Sequence, residues 1–341
     1  MKNLGFFNKL VFLLNSLFAF LLLVGYLLPF IPPKVFPTLS VLTLVLPLLI
    51  IANLVFALYW VFQLKRQMWL SSIILVLGFF LNVTLFKFSD SKENQTKDGL
   101  RILSYNVHMF TKEEKKKAYN VSDSIWSFVK GEDPDIVCFQ EFSSANFKPH
   151  SDYRYSYQKL RGGSNNFGQA IFSKHEIINK GSLEFPNTGN NIIFADIVRK
   201  KDTIRIYNIH MQSLALSPRI SGLQQENKKR LLSRLGEAFK KQQDQTEIFL
   251  KHEAKCPYTK VLAGDFNNTI FSHAYNKIRG DKKDAFAEAG SWFGRTFIFD
   301  FIPLRIDFIL VDQEIEVLNF KNFKTNYSDH YPIEAQLQFK N

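Results

Sequence analysis

The stretch Lys260-Val261-Leu262-Ala263-Gly264-Asp265-Phe266-Asn267 decides the fold of this chain. An apolar run of strand length ends there in a glycine, which lets the chain turn tightly, and an acid and an amide follow two residues apart. A buried strand delivers the polar residues that follow it to one end of its sheet. The pattern therefore predicts a functional site at the edge of an α/β sheet.

The same pattern recurs at four other places, where polar side chains lie at or just after the end of an apolar run. These are Ser104-Tyr105-Asn106-Val107-His108, Gln140-Glu141, Asn208-Ile209-His210 and Ser328-Asp329-His330-Tyr331-Pro332. Asn208 and His210 point to one side of their strand, because side chains alternate along a strand. Carboxylates, amides and histidines without a cysteine cluster suit a hard divalent cation and a phosphate ester.

Composition divides the 341 residues sharply. No acid occurs before Asp90, and six of the 43 basic residues lie in the first 88 positions. The remainder holds 37 basic and 31 acidic residues, a mildly basic balance that a solvated surface explains as well as a nucleic-acid partner does. Cys138 lies in an apolar run and is predicted to be a buried core thiol, and no zinc-binding spacing exists.

Three apolar stretches, Leu10–Phe30, Leu39–Phe62 and Trp69–Phe86, fill the N-terminal part. About 20 helical residues cross the hydrocarbon layer of a bilayer. The sequence therefore predicts a membrane domain of residues 1–88 with three transmembrane helices. A signal peptide does not fit the first stretch, because two further apolar segments follow it and no small-residue cleavage site is evident.

Basic residues predict the orientation of this membrane domain. Lys2, Lys9, Lys65 and Arg66 fall on one side, and Lys34 falls opposite. By the positive-inside rule the N-terminus is cytoplasmic, as in a multi-pass protein of a bacterial inner membrane. Three crossings place everything after residue 87 on the outer, periplasmic side. This orientation fails if the third stretch does not cross.

A polar linker at residues 89–99 precedes a globular domain at residues 100–341. Apolar runs of strand length alternate with helical patterns there, notably Lys112–Lys130 and Pro218–Lys251, and Ile192–Val198 with Thr203–Ile209 has the spacing of a hairpin. Helices between strands together with hairpins predict an α/β fold of mixed sheets with helices outside.

Two of the polar groups need partners. Glu141 ends a run apolar enough to be central in a sheet, where an unpaired carboxylate costs several kcal/mol, and Mg²⁺ or Mn²⁺ would supply the partner. His330 could act as a base if a carboxylate fixed its tautomer. Adjacent side chains on a strand point apart, so Asp329 would not contact His330. Asp307 is the better candidate for the carboxylate that fixes the tautomer of His330. Taken singly, each residue also fits an ordinary turn, surface or core position.

Together, the ordered motifs resemble the endonuclease/exonuclease/phosphatase superfamily, which includes pancreatic deoxyribonuclease, abasic-site endonucleases, inositol-phosphate phosphatases and sphingomyelinases. The resemblance covers Leu100 to the C-terminus. The segments that carry it are Asn106, Gln140-Glu141, Gly168-Gln169-Ala170-Ile171-Phe172-Ser173, Asn208-Ile209-His210, Gly264-Asp265-Phe266-Asn267, Arg305-Ile306-Asp307 and Ser328-Asp329-His330-Tyr331-Pro332. It implies a four-layer α/β sandwich of two mixed sheets flanked by helices, and phosphoester hydrolysis that depends on Mg²⁺ or Mn²⁺.

By position, the resemblance implies that Glu141 is the main metal ligand, with Asn106 and Asp329 beside the metal or its waters. One departure concerns His108, because some members carry an acid there. Mg²⁺ prefers oxygen ligands, so one alternative is that the metal has fewer protein ligands here and Mn²⁺ is the better cofactor. The other is that His108 merely lines the cleft.

The other residues would act on phosphate and water. The resemblance implies that Asn208 and His210 hold phosphate oxygens. Asp265 would orient or deprotonate the attacking water, with Asn267 fixing its position.

His330, paired with Asp307, would be the general base or a stabiliser of the transition state. The substrate stays open between nucleic acid and phospholipid. The run from Trp292 to Phe301 would enter a bilayer in a lipid phosphodiesterase of the sphingomyelinase type, or else form half-buried strands. A non-catalytic membrane scaffold is a further alternative, which the presence of the whole polar set disfavours. The sequence does not indicate an oligomeric state.

Overall fold

The structure is a computed structural model. The residues that it describes are 4–80, 86–87, 99–111, 121–144, 152–161, 166–217, 219–300 and 302–339. The predicted linker, apart from Gly99, and the first part of the predicted helix 112–130 lie outside the described residues.

The chain forms two compact units. The apolar-helix unit comprises Met1–Leu85, Lys228–Gln243 and Asn268–Asn276. The sheet unit comprises Phe86–Asn227, Asp244–Asn267 and Lys277–Asn341.

Long apolar runs build the helices of the apolar-helix unit: α1 Phe6–Leu27, α2 Pro37–Ser40, α3 Leu46–Phe62 and α4 Met68–Phe80. Including adjoining turns, Phe6–Phe30 with 25 residues and Pro37–Phe62 with 26 are long and apolar enough to cross a membrane. In each, 28% of the most apolar window is buried, unlike the core helix of a soluble protein. By length and composition the first also fits a signal sequence.

The prediction of a third transmembrane helix is wrong for the described residues. The third predicted membrane span, Trp69–Phe86, contains most of α4. The 13 residues of α4 are about 20 Å long, shorter than the roughly 30 Å of a hydrocarbon layer. Polar contacts hold α4 against its neighbours instead. The buried Ser71 hydroxyl lies 2.5 Å from Asn15 Oδ1 in α1 and 2.9 Å from Asn53 Oδ1 in α3.

Strands and further helices follow in chain order. Sheet 1 contains β1 Leu100–Asn106, β2 Ile136–Ser143, β3 Tyr155–Leu160, β4 Phe167–Ser173, β13 Glu316–Asn322 and β14 Ile333–Gln338. Sheet 2 contains β5 Ile177–Glu184, β6 Asn191–Arg199, β7 Asp202–His210, β8 Thr259–Asp265, β9 Lys283–Asp284 and β12 Asp307–Val311. A two-stranded ribbon consists of β10 Phe297–Phe299 and β11 Ile302–Leu304. The helices are α5 Val121–Glu132, α6 Ile220–Gln225, α7 Lys228–Glu253, α8 His273–Arg279 and α9 Ala285–Ala289.

Both large sheets are mixed, as predicted. The strand order is β13-β14-β1-β2-β4-β3 in sheet 1 and β5-β6-β7-β8-β12-β9 in sheet 2. β1 pairs in parallel with β2, and β7 with β8, whereas their other partners are antiparallel. The hairpin predicted from the spacing of two apolar runs is confirmed as β6 and β7. The α/β class with two mixed sheets flanked by helices is therefore confirmed.

Alternation of side chains creates two apolar layers around sheet 1. Ile102 of β1 and Val261 of β8 belong to the core between the sheets. Intervening residues such as Phe139 face α5, where the Trp126 ring centroid lies 5.4 Å from that of Phe139. The apolar face of α5 thus packs on sheet 1.

The predicted helical region Pro218–Lys251 forms two helices, α6 and α7, with a break after Gln225. Near the C-terminal end of α7, the Phe249 ring packs edge-on against Tyr207 of β7, with centroids 5.1 Å apart. Tyr207 alternates with the inner-facing residues of β7, so this part of α7 covers the outer face of sheet 2.

The aromatic run near residue 292 divides into two parts. Phe297–Phe299 forms β10, whereas Trp292 and Phe293 are 69% and 49% exposed. The Phe86 ring contacts both, with centroids 6.0 Å and 5.0 Å away. Phe301 lies outside the described residues.

Candidate functional site

Polar residues continue the inner-facing rows of five strands toward one end of the sandwich. Because Ile102, Val261 and Ile309 face the core, residues an even number of positions along the same strands face the same way. Backbone pairing sets Asn106 beside Gln140, and Asp265 between His210 and Asp307. The strand alternation therefore places acids, amides and a histidine together.

Glu141 reaches this site through a β-bulge. Strict alternation would turn its side chain outward, but its φ of 49° and a register shift between Phe139 and Phe142 interrupt β2. Glu141 Oε1 lies 3.4 Å from Asn106 Nδ2 and 3.7 Å from His210 Nε2. The bulge thus brings the carboxylate beside the inner-facing residues.

Asp265 lies at the centre of the site and is 1% exposed. Its Oδ1 accepts a hydrogen bond from the Asn267 N–H at 2.7 Å, and its Oδ2 accepts one from Asn106 Nδ2 at 3.1 Å. Burial, together with the nearby Asp307 carboxylate, raises the pKa of Asp265 to about 7 against the opposing effects of His330 and these hydrogen bonds.

His330 and Asp307 form the predicted pair. His330 Nδ1 lies 2.9 Å and 3.2 Å from the two oxygens of Asp307, and His330 Nε2 lies 3.7 Å from Asp265 Oδ2. Burial opposes the charged imidazolium, but Asp307 and Asp265 outweigh it and raise the pKa of His330 to about 10. The two carboxylates thus favour the protonated form of this imidazole.

Thr296 supports this pair, and sequence reasoning missed it. Its buried Oγ1 accepts hydrogen bonds from the N–H groups of Ile306 at 3.0 Å and Asp307 at 3.1 Å. A threonine between two aromatic runs carries no pattern that would have identified this role.

Asn208 and His210 are in different environments although both face inward. Asn208 Nδ2 donates to the carbonyl oxygens of Phe139 at 2.8 Å and Ala170 at 3.1 Å, and its Oδ1 accepts from Gln140 Nε2 at 2.6 Å. Both its amide hydrogens therefore bind backbone of the opposite sheet.

His210 Nε2, in contrast, is buried and has no hydrogen-bond partner within the described residues. It lies 3.7 Å from Glu141 Oε1 and 3.9 Å from Asp265 Oδ2. Burial lowers the pKa of His210, which favours the neutral ring. One ring nitrogen remains available to a ligand at the site.

Asp329 contacts His108, the residue that departs from the family pattern. His108 Nδ1 lies 3.1 Å from Asp329 Oδ1. Although burial opposes ionisation of Asp329, the hydrogen bond to His108 and the charges of His330 and His108 lower its pKa to about 2. The Asp329 hydrogen bond in turn raises the pKa of His108. Sequence reasoning considered both residues but did not pair them.

Negative charge dominates this end of the sandwich. Among the residues that the structure describes, no lysine or arginine forms an ion pair with Glu141, Asp265, Asp307 or Asp329. Their ion-pair partners are His108, His210 and His330. Ligand atoms of Asp265, Asp307 and His330 lie within 4.8 Å of one another. Clustered carboxylates whose partners are imidazoles rather than lysine or arginine suit a divalent cation.

Two family models match the sequence. Residues 103–330 match the model of the Endonuclease/Exonuclease/phosphatase family, and residues 8–84 match a domain of unknown function. No curated protein matches the chain.

Solved structures resemble the sheet unit. An endonuclease/exonuclease/phosphatase from Bacteroides vulgatus matches with a TM-score of 0.55 and 19% identity, over 71% of this chain and 99% of that one. D. rerio TDP2 complexed with single strand DNA product matches with a TM-score of 0.53 and 16% identity, over 71% and 99%. The human Nocturnin catalytic domain with bound sulfate anion matches with a TM-score of 0.54 and 15% identity, over 71% and 95%. These likenesses show a shared fold.

Proposed function

Because this chain belongs to the endonuclease/exonuclease/phosphatase family, we propose that it is a divalent-metal-dependent phosphoester hydrolase, which cleaves its substrate by attack of an activated water. The observation that carries the proposal is the convergence of four carboxylates and three histidines at one end of the sandwich. A site with that composition suits a divalent cation and the attack of water on phosphorus.

The residues fit Mg²⁺ or Mn²⁺. Glu141 would hold the ion, since its carboxylate is 26% exposed and its nearest partners are a neutral imidazole and an amide. Asn106 would contribute through Oδ1, which accepts a hydrogen bond from the His108 N–H at 3.1 Å in the structure. Asp329 follows Ser328, whose Oγ donates to the Asn106 carbonyl at 2.8 Å. When bound, the ion would polarise a phosphoryl oxygen and stabilise the leaving oxygen.

The remaining residues would handle water and charge. Asp265, fixed by the Asn267 N–H and the Asn106 amide, would orient the attacking water. His330, held by Asp307, would stabilise negative charge that develops on the phosphoryl group. His210, with an unpartnered Nε2, would donate to a phosphoryl oxygen. Asn208, whose donors are occupied, would brace the two sheets beneath the site.

Nucleic acid is the substrate class that we test first. The support is a shared fold with a relative whose structure contains a single strand DNA product. The sheet unit itself does not distinguish nucleic acid from a phospholipid, so both belong in the assay.

The location follows from the apolar helices. If Phe6–Phe30 and Pro37–Phe62 both cross a bilayer, the protein is membrane-anchored, and an even number of crossings places the sheet unit on the side of the N-terminus. Lys2, Lys9, Lys65 and Arg66 would mark that side as cytoplasmic. This reverses the periplasmic placement expected from three spans.

The test is hydrolysis by the full chain in detergent micelles with Mg²⁺ or Mn²⁺. The substrates are plasmid DNA, single-stranded DNA, RNA, sphingomyelin, phosphoinositides and bis-p-nitrophenyl phosphate. We expect EDTA to abolish turnover and added Mn²⁺ to restore it. Glu141→Gln should lose at least about 10²-fold in turnover because it removes the main metal charge.

Ser127→Ala is the matched control, since this exposed residue of α5 lies on a helix surface. Turnover that survives EDTA, or a Glu141→Gln variant as active as Ser127→Ala, would reject the metal mechanism. A folded protein that binds Mn²⁺ but cleaves none of these esters would reject the proposed hydrolase activity toward these classes.

A further inference from the structure

The turn that follows β1 has an unusual backbone. His108, Met109 and Phe110 have consecutive positive φ angles of 43°, 52° and 59°. Side chains other than glycine rarely adopt this conformation even singly. Strained backbone that persists beside a functional site is a reason to look for a role.

Specific contacts maintain this turn. The Phe110 N–H donates to the Val107 carbonyl at 2.8 Å, and the N–H and Oγ1 of Thr111 both donate to the His108 carbonyl at 2.9 Å. The Phe110 ring is buried, with its centroid 5.7 Å from that of Phe142. The Asn106 Oδ1 accepts the His108 N–H at 3.1 Å. The turn therefore holds the His108 side chain in a defined place beside the site.

The His108 ring uses one nitrogen and leaves the other available. Nδ1 lies 3.1 Å from Asp329 Oδ1, and the two side chains are 42% and 34% exposed. Within the described residues, His108 Nε2 forms no hydrogen bond. Asp329 is itself fixed, because Ser328 Oγ lies 3.2 Å from Asp329 Oδ1 and the Ile298 N–H donates to the Asp329 carbonyl at 2.9 Å.

This arrangement repeats the geometry of the buried pair. His330 also meets its carboxylate through Nδ1, at 2.9 Å from Asp307, which turns Nε2 toward the reacting groups. Asp329 and His330 are adjacent in the chain, yet each belongs to a different pair. The site thus contains two Asp–His pairs, one enclosed and one at its solvent-exposed margin.

We propose that Asp329 orients His108, so that the Nε2–H of His108 donates a hydrogen bond to a phosphoryl oxygen of the substrate. His108 is then a substrate-binding residue, Asp329 is its positioning residue, and Glu141 holds the metal without a direct bond from Asp329. This inference rests on the proposed phosphoester hydrolase function and names one further contact with its substrate.

The experiment compares four variants of the full chain in detergent micelles: His108→Ala, His108→Gln, Asp329→Asn and the double variant His108→Ala/Asp329→Asn. Glu141→Gln is the metal-site reference and Ser127→Ala the surface control. Four quantities are measured: the Kd for Mn²⁺ from the free-ion EPR signal, the Kd of the Mn²⁺-loaded protein for inorganic phosphate by calorimetry, and kcat and KM on bis-p-nitrophenyl phosphate.

We expect His108→Ala and Asp329→Asn each to raise the phosphate Kd and the KM about tenfold, the effect of one charge-assisted hydrogen bond. The kcat should change less than about threefold, and so should the Mn²⁺ Kd, whereas Glu141→Gln should raise the Mn²⁺ Kd at least about tenfold. The double variant should be no worse than either single variant, because the pair acts as a unit. His108→Gln should retain part of the phosphate affinity, because its amide can reach the position of Nε2.

Two results would overturn the inference. If Asp329→Asn raises the Mn²⁺ Kd as much as Glu141→Gln does, Asp329 is a metal ligand. If a folded His108→Ala variant has an unchanged phosphate Kd, His108 does not bind the phosphoryl group. If the wild-type protein binds Mn²⁺ and phosphate but hydrolyses nothing, the proposed function fails while the phosphate series still decides the role of His108. If it binds neither, both proposals fail.

Discussion

Gly264 occupies a position that no other residue can take without distortion. Its φ is 144°, and a Cβ there would lie 2.1 Å from the Ile209 carbonyl oxygen. The close approach of β7 and β8 at this point positions Asp265 opposite His210.

We predict that Gly264→Ala lowers the free energy of unfolding by about 2–4 kcal/mol, because it combines a strained φ with a backbone clash. Urea denaturation followed by circular dichroism measures this. Gly131→Ala is the control, since Gly131 lies in α5 with nothing within 4 Å of its added Cβ. It should be neutral or slightly stabilising. Equal losses in both variants would contradict the steric argument.

In the proposed mechanism, Asp307 would act on catalysis through His330. We predict that Asp307→Asn lowers kcat on the order of 10²- to 10³-fold, because an amide neither fixes the Nδ1–H tautomer nor stabilises the imidazolium. Steady-state kinetics of the full chain measure this against Asp202→Asn, which changes an exposed residue in the β6–β7 hairpin. A decrease below fivefold with unchanged folding would show that the pair is not needed.

Side-chain alternation explains which site residues were predictable. The i, i+2 spacing in Asn208-Ile209-His210 identified the inward row, and the separation of Asp329 from His330 correctly pointed to Asp307 as the partner of His330. Alternation predicts on which face of a strand a side chain lies, but not which atoms that side chain contacts. Two contacts depend on tertiary geometry. Both Asn208 amide hydrogens bind the opposite sheet, and His108 and Asp329 meet between two loops.

At the scale of elements, apolar strands were easier to predict than edge strands. The central strands β1, β2, β4, β6, β7, β8, β12 and β14 were identified from their apolar residues. The edge strands β3 and β5 were missed because polar, exposed residues predominate in them. The family expected from the motifs is confirmed by the match over residues 103–330.

Helix α4 shows the limit of hydropathy as a predictor of spans. Composition alone does not say where a helix ends, so the apolar stretch suggested a crossing that the 13 described residues cannot make. Its buried Ser71 bridges Asn15 and Asn53, and interhelical hydrogen bonds of this kind contribute modestly to packing in apolar surroundings.

We predict that Ser71→Ala destabilises the apolar-helix unit by about 1 kcal/mol, since it removes the hydroxyl shared by two buried amides. Unfolding in mixed micelles with increasing SDS, followed by circular dichroism, measures the change. Ser72→Ala is the matched control on the same helix and is only partly buried. A Ser71→Ala variant as stable as Ser72→Ala would show that the contact adds nothing.

At the scale of the whole molecule, the number of crossings determines the side on which the sheet unit lies. With two crossings we predict that a C-terminal green fluorescent protein fusion in bacteria is fluorescent and a C-terminal alkaline phosphatase fusion is inactive, since the first matures in the cytoplasm and the second needs the periplasm. The opposite result would indicate an odd number of crossings. Fusions after Lys34 should behave in the reverse way and serve as the internal control.

The strand order has a consequence for the synthesis of this protein. β14 lies between β13 and β1, so one edge of β1 stays unpaired until residues 333–338 have left the ribosome. If the N-terminal helices insert into a membrane, they meet the insertion machinery about 250 residues earlier, at a synthesis rate of about 5–20 residues per second. The nascent sheet unit would then spend tens of seconds tethered and incomplete, with the edge of β1 exposed. Chaperones that shield unpaired strands would act during that interval.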